Sequence, residues 1–203
     1  MPTLTERIAT DTDASSIASS SNTPVSGNAY TVAVSNRIDA ESPNTPTLSG
    51  TNGWGVTWTQ RGTQVGVSDD IRITLFDGVP NSGVAGVLTA DFGGQTQTAL
   101  GLEIVEWPDA DASAIQGQTP VAATANSTTV TATLSAFGNS DNTAYLPMLI
   151  RANTTIVPDT GWTELGAEVR VPGFSVGSIY RVGDGDLTPS ATIGFDAIWT
   201  CIA

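Results

Sequence analysis

Alternating apolar residues on either side of a glycine pair dominate the middle of the chain. Residues 84–107 read VAGVLTADFGGQTQTALGLEIVEW. Glycine accepts the positive φ that a tight turn requires, so Gly93 and Gly94 predict a β-hairpin between two strands. A three-residue loop, 93–95, puts the large apolar residues of both strands on one face, and core burial should select that register. The face then carries Val84, Leu88, Ala90, Phe92, Thr96, Leu100, Leu102 and Ile104.

Period-two alternation recurs along the rest of the chain between turn residues. The opposite face of the central run becomes apolar at Val105 and Trp107, which indicates a second layer. No helical pattern lasts beyond a turn or two. The sequence therefore predicts an all-β antiparallel two-sheet β-sandwich of the jelly-roll type, with eight or nine strands. Outside the hairpin, the strand-like runs from which these strands would form lie at residues 29–37, 54–60, 71–77, 128–136, 143–152, 161–171, 174–182 and 191–203.

Several residues inside these strands carry their own expectations. Trp54, Val56 and Trp58 share a face of the second strand, which predicts that the indole rings are buried. Pro147 cannot donate to a strand ladder, so it predicts a sheet edge or a bulge. Gly166 predicts a bulge within residues 161–171.

Residues 1–28 are polar, rich in Ser and Thr and poor in aromatics. Such a segment buries too little apolar area to offset its ordering entropy by itself. We expect an extended arm that lies along the body or along a neighbouring subunit, ahead of a sandwich domain at residues 29–203. Ile8, Ile17 and Val25 are its predicted partner-binding anchors. The alternative is a short helix at residues 4–8 packed on its own domain.

The side-chain inventory excludes several kinds of chemistry. The chain has no histidine, all seven basic residues are arginines, and Cys201 is the single cysteine. Histidine bases, Ser-His-Asp triads, Schiff-base lysines and intrachain disulfides are therefore impossible. A net charge of −13 argues against binding nucleic acid. No apolar run is long enough to span a membrane, and no signal peptide is evident.

Carboxylate pairs are the remaining catalytic option. Glu103 and Glu106 lie three apart in a strand and point to opposite faces. Glu164 and Glu168 are four apart, but Gly166 between them interrupts the alternation. Glycoside hydrolysis needs two carboxyl groups held across a cleft, and the sequence marks no such pair. We therefore expect no enzymatic activity and no cofactor.

Two acidic turns resemble fragments of calcium loops. Asp109 and Asp111, and likewise Asp184 and Asp186, supply alternating oxygen ligands. The complete calcium-loop pattern with its terminal Glu is absent. Solvated turns, in which the Asp side chain bonds to nearby backbone, are the favoured interpretation of both pairs, so the four residues are only weak metal-site candidates.

The body resembles jelly-roll proteins encoded among the structural genes of tailed bacteriophages. The motifs that carry the resemblance are AYTVAVSNR, GWGVTWTQ, IRITLFDG, LTADFGG, STTVTATLSAF, GWTELG and ATIGFDAIWTCIA, in that order. The resemblance implies a β-sandwich on the virion surface, of the decoration, head-fibre or tail-associated type. It implies no catalytic residues.

On this basis we expect a non-enzymatic virion structural protein, assembled in the host cytoplasm, that binds capsid or tail proteins through the N-terminal arm. A symmetric shell makes a homo-oligomer, especially a trimer, the expected state. The alternative is a carbohydrate-binding module for host-surface glycans. That alternative requires exposed aromatic rings on one concave face. Its candidate residues are Trp107, Trp162, Tyr145 and Tyr180.

Overall fold

A computed structural model describes residues 1–39, 41–108, 120–135, 141–183 and 187–203. Within them the chain forms fifteen strands and one short 3-10 helix, Asn52–Trp54. The strands are β1 Thr3–Thr10, β2 Ser16–Ala18, β3 Ala29–Arg37, β4 Thr47–Gly50, β5 Thr59–Val65, β6 Ile71–Gly78, β7 Leu88–Asp91, β8 Ala99–Trp107, β9 Ala122–Thr131, β10 Thr143–Ile150, β11 Ile156–Pro158, β12 Thr163–Glu164, β13 Val169–Val171, β14 Phe174–Val182 and β15 Ser190–Ile202.

The strands form three antiparallel sheets. The central sheet has five strands in the order β1-β8-β3-β6-β5. A seven-stranded sheet runs β11-β15-β10-β14-β12, with β9 paired to β15 and β13 paired to β14. A small sheet has the order β2-β7-β4. The predicted antiparallel β-sandwich is confirmed, with the small sheet as an additional layer.

The central sheet is buried on both faces, and β8 shows this most clearly. Leu102 and Ile104 pack against Leu88 of the small sheet. Val105 packs on the opposite side with Tyr145 of the seven-stranded sheet. Strict alternation along β8 therefore sends successive side chains into two different cores. Each fully buried aliphatic side chain stabilises the fold by about 1.5–3 kcal/mol relative to exposure.

The seven-stranded sheet encloses a further core of its own. Leu146 and Met148 of β10 pack with Ile179 of β14 and with Trp199 and Cys201 of β15. All described members of this cluster belong to the sheet or to its connecting loops. The sheet therefore curls around them, and its strand β10 is buried on both faces.

Several predicted strands are confirmed closely. The strands β3 and β14 have the predicted bounds, β6 is one residue longer at its end, and β15 is shifted by one residue at both ends. Pairing between β10 and β15 begins at Met148. Pro147 thus lies just outside it, where β10 has a neighbour on one side only, as predicted. The strand number is higher than predicted because β1, β2, β4 and β11 lie where no strand is predicted and residues 161–171 form two strands, β12 and β13. Of the added strands, β2, β4 and β11 have only three or four residues. Runs this short carry little periodic signal.

The predicted hairpin is wrong. Gly93 and Gly94 do adopt positive φ values of 65° and 84°, and the turn closes where the Gln95 amide donates to the Phe92 carbonyl. However, β7 pairs with β2 and β4, whereas β8 pairs with β1 and β3. The turn therefore carries the chain from one layer to the next. Leu88 and Leu102 still meet, but they do so across the core.

The second predicted strand is also wrong. Trp54 ends the 3-10 helix, and β5 begins only at Thr59. The predicted burial of the rings survives in another form, because Trp54 is fully buried and stacks on half-buried Trp58 at a centroid distance of 6.2 Å. A Cβ atom on Gly53 would lie 2.2 Å from the Val84 carbonyl oxygen. This close approach holds the turn in place.

The N-terminal segment is extended and lies along its own body. Strand β1 pairs with β8 over Thr3↔Glu106 to Thr10↔Leu100, and β2 pairs with β7. The alternative of a short helix at residues 4–8 is wrong. The domain division at residue 28 stays a prediction.

Replacing Gly53 tests the close approach beneath the 3-10 turn. We expect Gly53→Ala to lower the free energy of unfolding by about 1–3 kcal/mol, because the added methyl group overlaps backbone that cannot rotate away. Gly83→Ala is the matched control, since its nearest contact is 3.6 Å from the added carbon. Its effect should stay within about 0.5 kcal/mol in urea denaturation. Equal effects of the two variants would contradict the packing described for Gly53.

Candidate functional site

A buried ion pair lies between the central sheet and the seven-stranded sheet. Arg7 of β1 and Glu103 of β8 are register partners, and the Arg7 Nε donates to Glu103 Oε2 at 2.6 Å. The other carboxylate oxygen, Oε1, accepts from the Tyr145 hydroxyl at 2.7 Å and from the Ser178 hydroxyl at 2.5 Å. The two charged side chains are 1% and 4% exposed. Four strands from two sheets thus meet at one carboxylate.

The remaining nitrogens of Arg7 bind the turn between β12 and β13. They donate to the carbonyl oxygens of Leu165, Gly166 and Ala167 at 2.7–3.0 Å. One of them also donates to Ser178 Oγ at 2.7 Å. Gly166 has a φ of 69°, which bends the chain so that three successive carbonyls face the guanidinium. Gly166 thus interrupts the run as a turn between β12 and β13, not as the predicted bulge within one strand, and its carbonyl accepts from Arg7.

Strand alternation explains why these groups converge. Tyr145 and Tyr180 are register partners on β10 and β14, and Ser178 lies two residues before Tyr180 on the same face. That face also carries Val176, which packs towards the central sheet. Arg7 and Glu103 point back from the central sheet. Each polar side chain therefore stands in a row of apolar ones, in the layer between the sheets.

Burial and charge shift the pKa values of this cluster in defined directions. Burial raises the pKa of Tyr145 well above its ordinary value, and the adjacent Glu103 carboxylate raises it further. Burial by itself would lower the pKa of Arg7, but the charge of Glu103 and its hydrogen bond raise it overall. Tyr145 is thus held as a neutral donor and Arg7 as a cation. In these protonation states Tyr145 and Arg7 both donate hydrogen bonds to the Glu103 carboxylate, which is what a structural role of the cluster requires.

The space around Glu103 is too small for a substrate. A cavity of about 10 Å³ borders Glu103, Ser35 and Gly177, which is room for one water molecule. Both oxygens of the carboxylate already accept hydrogen bonds from the protein. Glu103 therefore joins strands and is not positioned to transfer a proton to a bound molecule.

The other carboxylates considered from the sequence have separate settings. Glu106 accepts from the Asn28 side chain at 2.6 Å, away from Glu103. Glu164 and Glu168 do come together, since the Glu168 amide donates to Glu164 Oε1 at 3.1 Å. Burial raises the pKa of Glu164, with a further rise from its hydrogen bond to Glu168. This second pair holds the turn that carries Gly166.

The aromatic residues proposed for glycan binding do not form an exposed platform. Tyr145 and Trp162 are 8% and 7% exposed. Trp107 is half-buried, stands edge-on to Tyr145 at 5.5 Å and donates to the Thr31 hydroxyl at 3.0 Å. Tyr180 is also half-buried. Stacking on a sugar requires a free ring face, so this burial counts against the four candidates.

The three arm anchors have different surroundings. Ile17 is buried in the core beneath the small sheet, and half-buried Ile8 packs against the same core. Both side chains are therefore occupied by their own body. Val25 is 50% exposed. Of the three candidates, it is the one open to a partner.

The metal candidates Asp109, Asp111, Asp184 and Asp186 lie outside the described residues, so they stay predictions. Within the described ranges, no three Asp, Glu or Cys side chains are grouped to hold a metal ion. In the same ranges, no helix is long and apolar enough to cross a membrane.

Sequence reasoning missed Arg7, the centre of the cluster. A signal was present in the sequence. Glu103 is flanked by Leu102 and Ile104, and strand alternation puts its side chain on the face that also carries Val105. A carboxylate on a buried face requires a cation or several donors. The chain has only seven arginines to supply that cation. What the pattern could not indicate was which one.

Comparison of the chain with protein-family models, curated proteins and solved structures gave no match. Proposals about its function therefore depend on its own residues.

Removing one partner of the ion pair tests its structural role. We expect Arg7→Met to lower the free energy of unfolding by about 3–5 kcal/mol, because Glu103 would stay buried without its cation. The double variant Arg7→Met/Glu103→Leu should recover most of that loss. The control is Arg170→Met, since the Arg170–Glu168 pair is 3.5 Å long and Arg170 is 43% exposed. That variant should cost at most about 1 kcal/mol in urea denaturation. A double variant no more stable than Arg7→Met would contradict this account.

The raised tyrosine pKa values predict a loss of stability at alkaline pH. Burial raises the pKa of Tyr30 to about 12 and that of Tyr145 well above its ordinary value. Below about pH 10 both are protonated in the folded and unfolded chains; above it the unfolded chain releases these protons first. The free energy of unfolding should therefore fall as the pH rises above about 10.

Tyrosine variants assign this alkaline loss to residues. We expect Tyr145→Phe to make the decline shallower by about 1.4 kcal/mol per pH unit. Tyr30→Phe should make the decline shallower as well, because burial raises the pKa of Tyr30 to about 12, and the double variant should combine the two effects. The measurement is urea denaturation between about pH 8 and 11.5. An unchanged slope in Tyr145→Phe would contradict the assignment.

Proposed function

We propose that the chain is a non-enzymatic structural protein of a tailed-phage particle, displayed on the particle surface as a capsid decoration or tail-associated protein. The observation that carries the proposal is the use of its buried polar groups. Arg7, Glu103, Tyr145 and Ser178 are all engaged in joining two sheets. A domain whose two sheets are joined in this way suits a particle component that must stay rigid while its outer surface contacts other proteins.

The sequence adds support of two kinds. The ordered series of motifs resembles jelly-roll proteins of phage particles, so a jelly-roll body is part of the proposal. The net charge of −13 with only 13% charged residues describes a surface built largely from Thr, Ser, Asn and Gly. Such a surface keeps copies apart until a specific contact forms. We place assembly in the host cytoplasm, on a symmetric shell or tail that would carry the protein as a homo-oligomer.

We assign attachment to a small apolar patch formed by Val25 and Val84. These side chains are 50% and 55% exposed. They belong to two loops that meet at Gly53, whose amide donates to the Val84 carbonyl. A Cβ at Gly53 would lie 2.8 Å from Pro24, the neighbour of Val25. The patch therefore sits on a rigid turn, and its occupant is a capsid or tail protein.

Glycan recognition is the second candidate, and one residue favours it. Phe195 is 51% exposed. It lies where the register of β15 with β9 shifts between Thr192 and Ala197. Bulges often present side chains for contact. Glycan-array binding that is lost in Phe195→Ala would favour this function over attachment alone.

Particle incorporation tests the proposed function. Antibodies against the purified chain are applied to density-purified particles from bacteria that carry the gene. Regularly spaced immunogold label on the particles is the expected result. Particles without label, together with free protein in the same lysate, would contradict the proposal.

Single variants then test the attachment patch. We expect Val25→Asp to reduce incorporation at least about tenfold, because it puts a charge into an apolar contact. The matched control is Val67→Asp. Val67 is 56% exposed on a different loop, and incorporation of this variant should match wild type. Equal incorporation of the two variants would place attachment elsewhere.

A further inference from the structure

We propose that strand β1 is exchanged between copies of this chain, so that Arg7 of one copy pairs with Glu103 of a second copy. The surface involved is the groove beside β8 that receives β1. Its occupant would be the same strand from a neighbour. This inference deepens the proposed function, on which its biological setting rests, whereas the exchange itself can be tested without particles.

The contacts of β1 come from distant parts of the chain. Arg7 is 96 residues from Glu103, 158 from Leu165 and 171 from Ser178. A β1 strand supplied by another copy would make the same hydrogen bonds and fill the same groove. The closed and exchanged forms therefore differ in the path of the connecting residues and in the entropy of association.

The groove is specific for this strand. The guanidinium of Arg7 makes five hydrogen bonds to the carboxylate, to Ser178 and to three carbonyl oxygens. Next to it, Leu4 packs so closely on Gly166 that a Cβ there would lie 2.5 Å from its Cδ2 atom. An empty groove would leave Glu103 buried without a cation, which is costly. Each groove therefore requires a β1 strand, although nothing in it specifies which copy provides the strand.

The connection after β1 provides the hinge. Thr10 is the last residue of β1 paired with β8, opposite Leu100, and the next bridge joins Ala14 to Gln97. The residues between them, 11–13, are all exposed. In this short connection the chain turns from the central sheet to the small sheet. A short hinge favours exchange because straightening it releases the bend and carries β1 away from its own body.

A disulfide trap distinguishes the two forms. Thr3 and Glu106 are register partners on β1 and β8, and the native Cys201 is buried. The variant Thr3→Cys/Glu106→Cys is refolded from urea at increasing protein concentration and then oxidised. In the closed form the new disulfide lies within one chain. In the exchanged form it joins two chains and gives a covalent dimer on a non-reducing gel.

A second cysteine pair provides the control. Ser49 and Thr89 are register partners on β4 and β7, which should not exchange. We expect the covalent dimer of the β1–β8 variant to increase with concentration and to exceed that of Ser49→Cys/Thr89→Cys by about tenfold. Intrachain disulfides alone at every concentration, in both variants, would overturn the proposal.

Charge reversal gives an independent readout. Arg7→Glu and Glu103→Arg each place two like charges in the buried site, so each should be destabilised when refolded by itself. When the two variants are refolded together, exchange brings the two introduced side chains, a glutamate and an arginine, together in one groove. The other groove then holds the native Arg7 and the native Glu103.

We expect this mixture to give a species of twice the monomer mass with a higher denaturation midpoint than either variant. Size-exclusion chromatography with light scattering measures the mass, and urea denaturation of the separated species measures the midpoint. A mixture that behaves as the sum of its parts, with the cysteine trap also negative, would refute exchange whatever the particle experiments show.

Discussion

The architecture depends on one buried carboxylate. Apolar packing drives the sheets together but is not directional, and both neighbours of the central sheet offer similar aliphatic surfaces. Glu103 supplies direction, because its two oxygens accept from Arg7, Tyr145 and Ser178 on three other strands. A shift of β1 by one residue would turn Arg7 to the opposite face. The ion pair therefore specifies how β1 is registered and how the two large sheets meet.

This arrangement divides the molecule into an inner and an outer part with different roles. The ionisable groups of the cluster are enclosed between layers, and the cavity beside them holds about 10 Å³. The contacts proposed with a particle or a glycan use outward features instead, such as the apolar patch of Val25 and Val84 or the exposed ring of Phe195. The N-terminal segment belongs to both parts. Its composition is that of a disordered arm, yet Arg7 makes it part of the core.

Long, strictly alternating strands were predictable from the sequence, whereas their partners were not. The strands β3, β6, β14 and β15 lie where alternation predicts them. Gly93 and Gly94 form a turn, but the runs beside them belong to different sheets. The alternation that puts Leu88 and Leu102 on apolar faces is the same whether the two runs form a hairpin or pack across a core. The same limit applies to the candidate site. The sequence pattern indicates that Glu103 is a carboxylate on an apolar face, but it does not distinguish Arg7 from the polar residues around it.

The amino-acid sequence by itself determined the strand class, the side chains that face a core and the absence of histidine and lysine chemistry. These properties depend on residue type and on spacing of one or two positions. The tertiary structure alone decided which sheet each strand joins, which arginine neutralises Glu103 and which aromatic rings stay accessible. Those outcomes require contacts between residues that are distant in the chain, such as Arg7 and Ser178, which are 171 positions apart. Local pattern carries no information about such distant partners, because many apolar faces of similar width can cover one another.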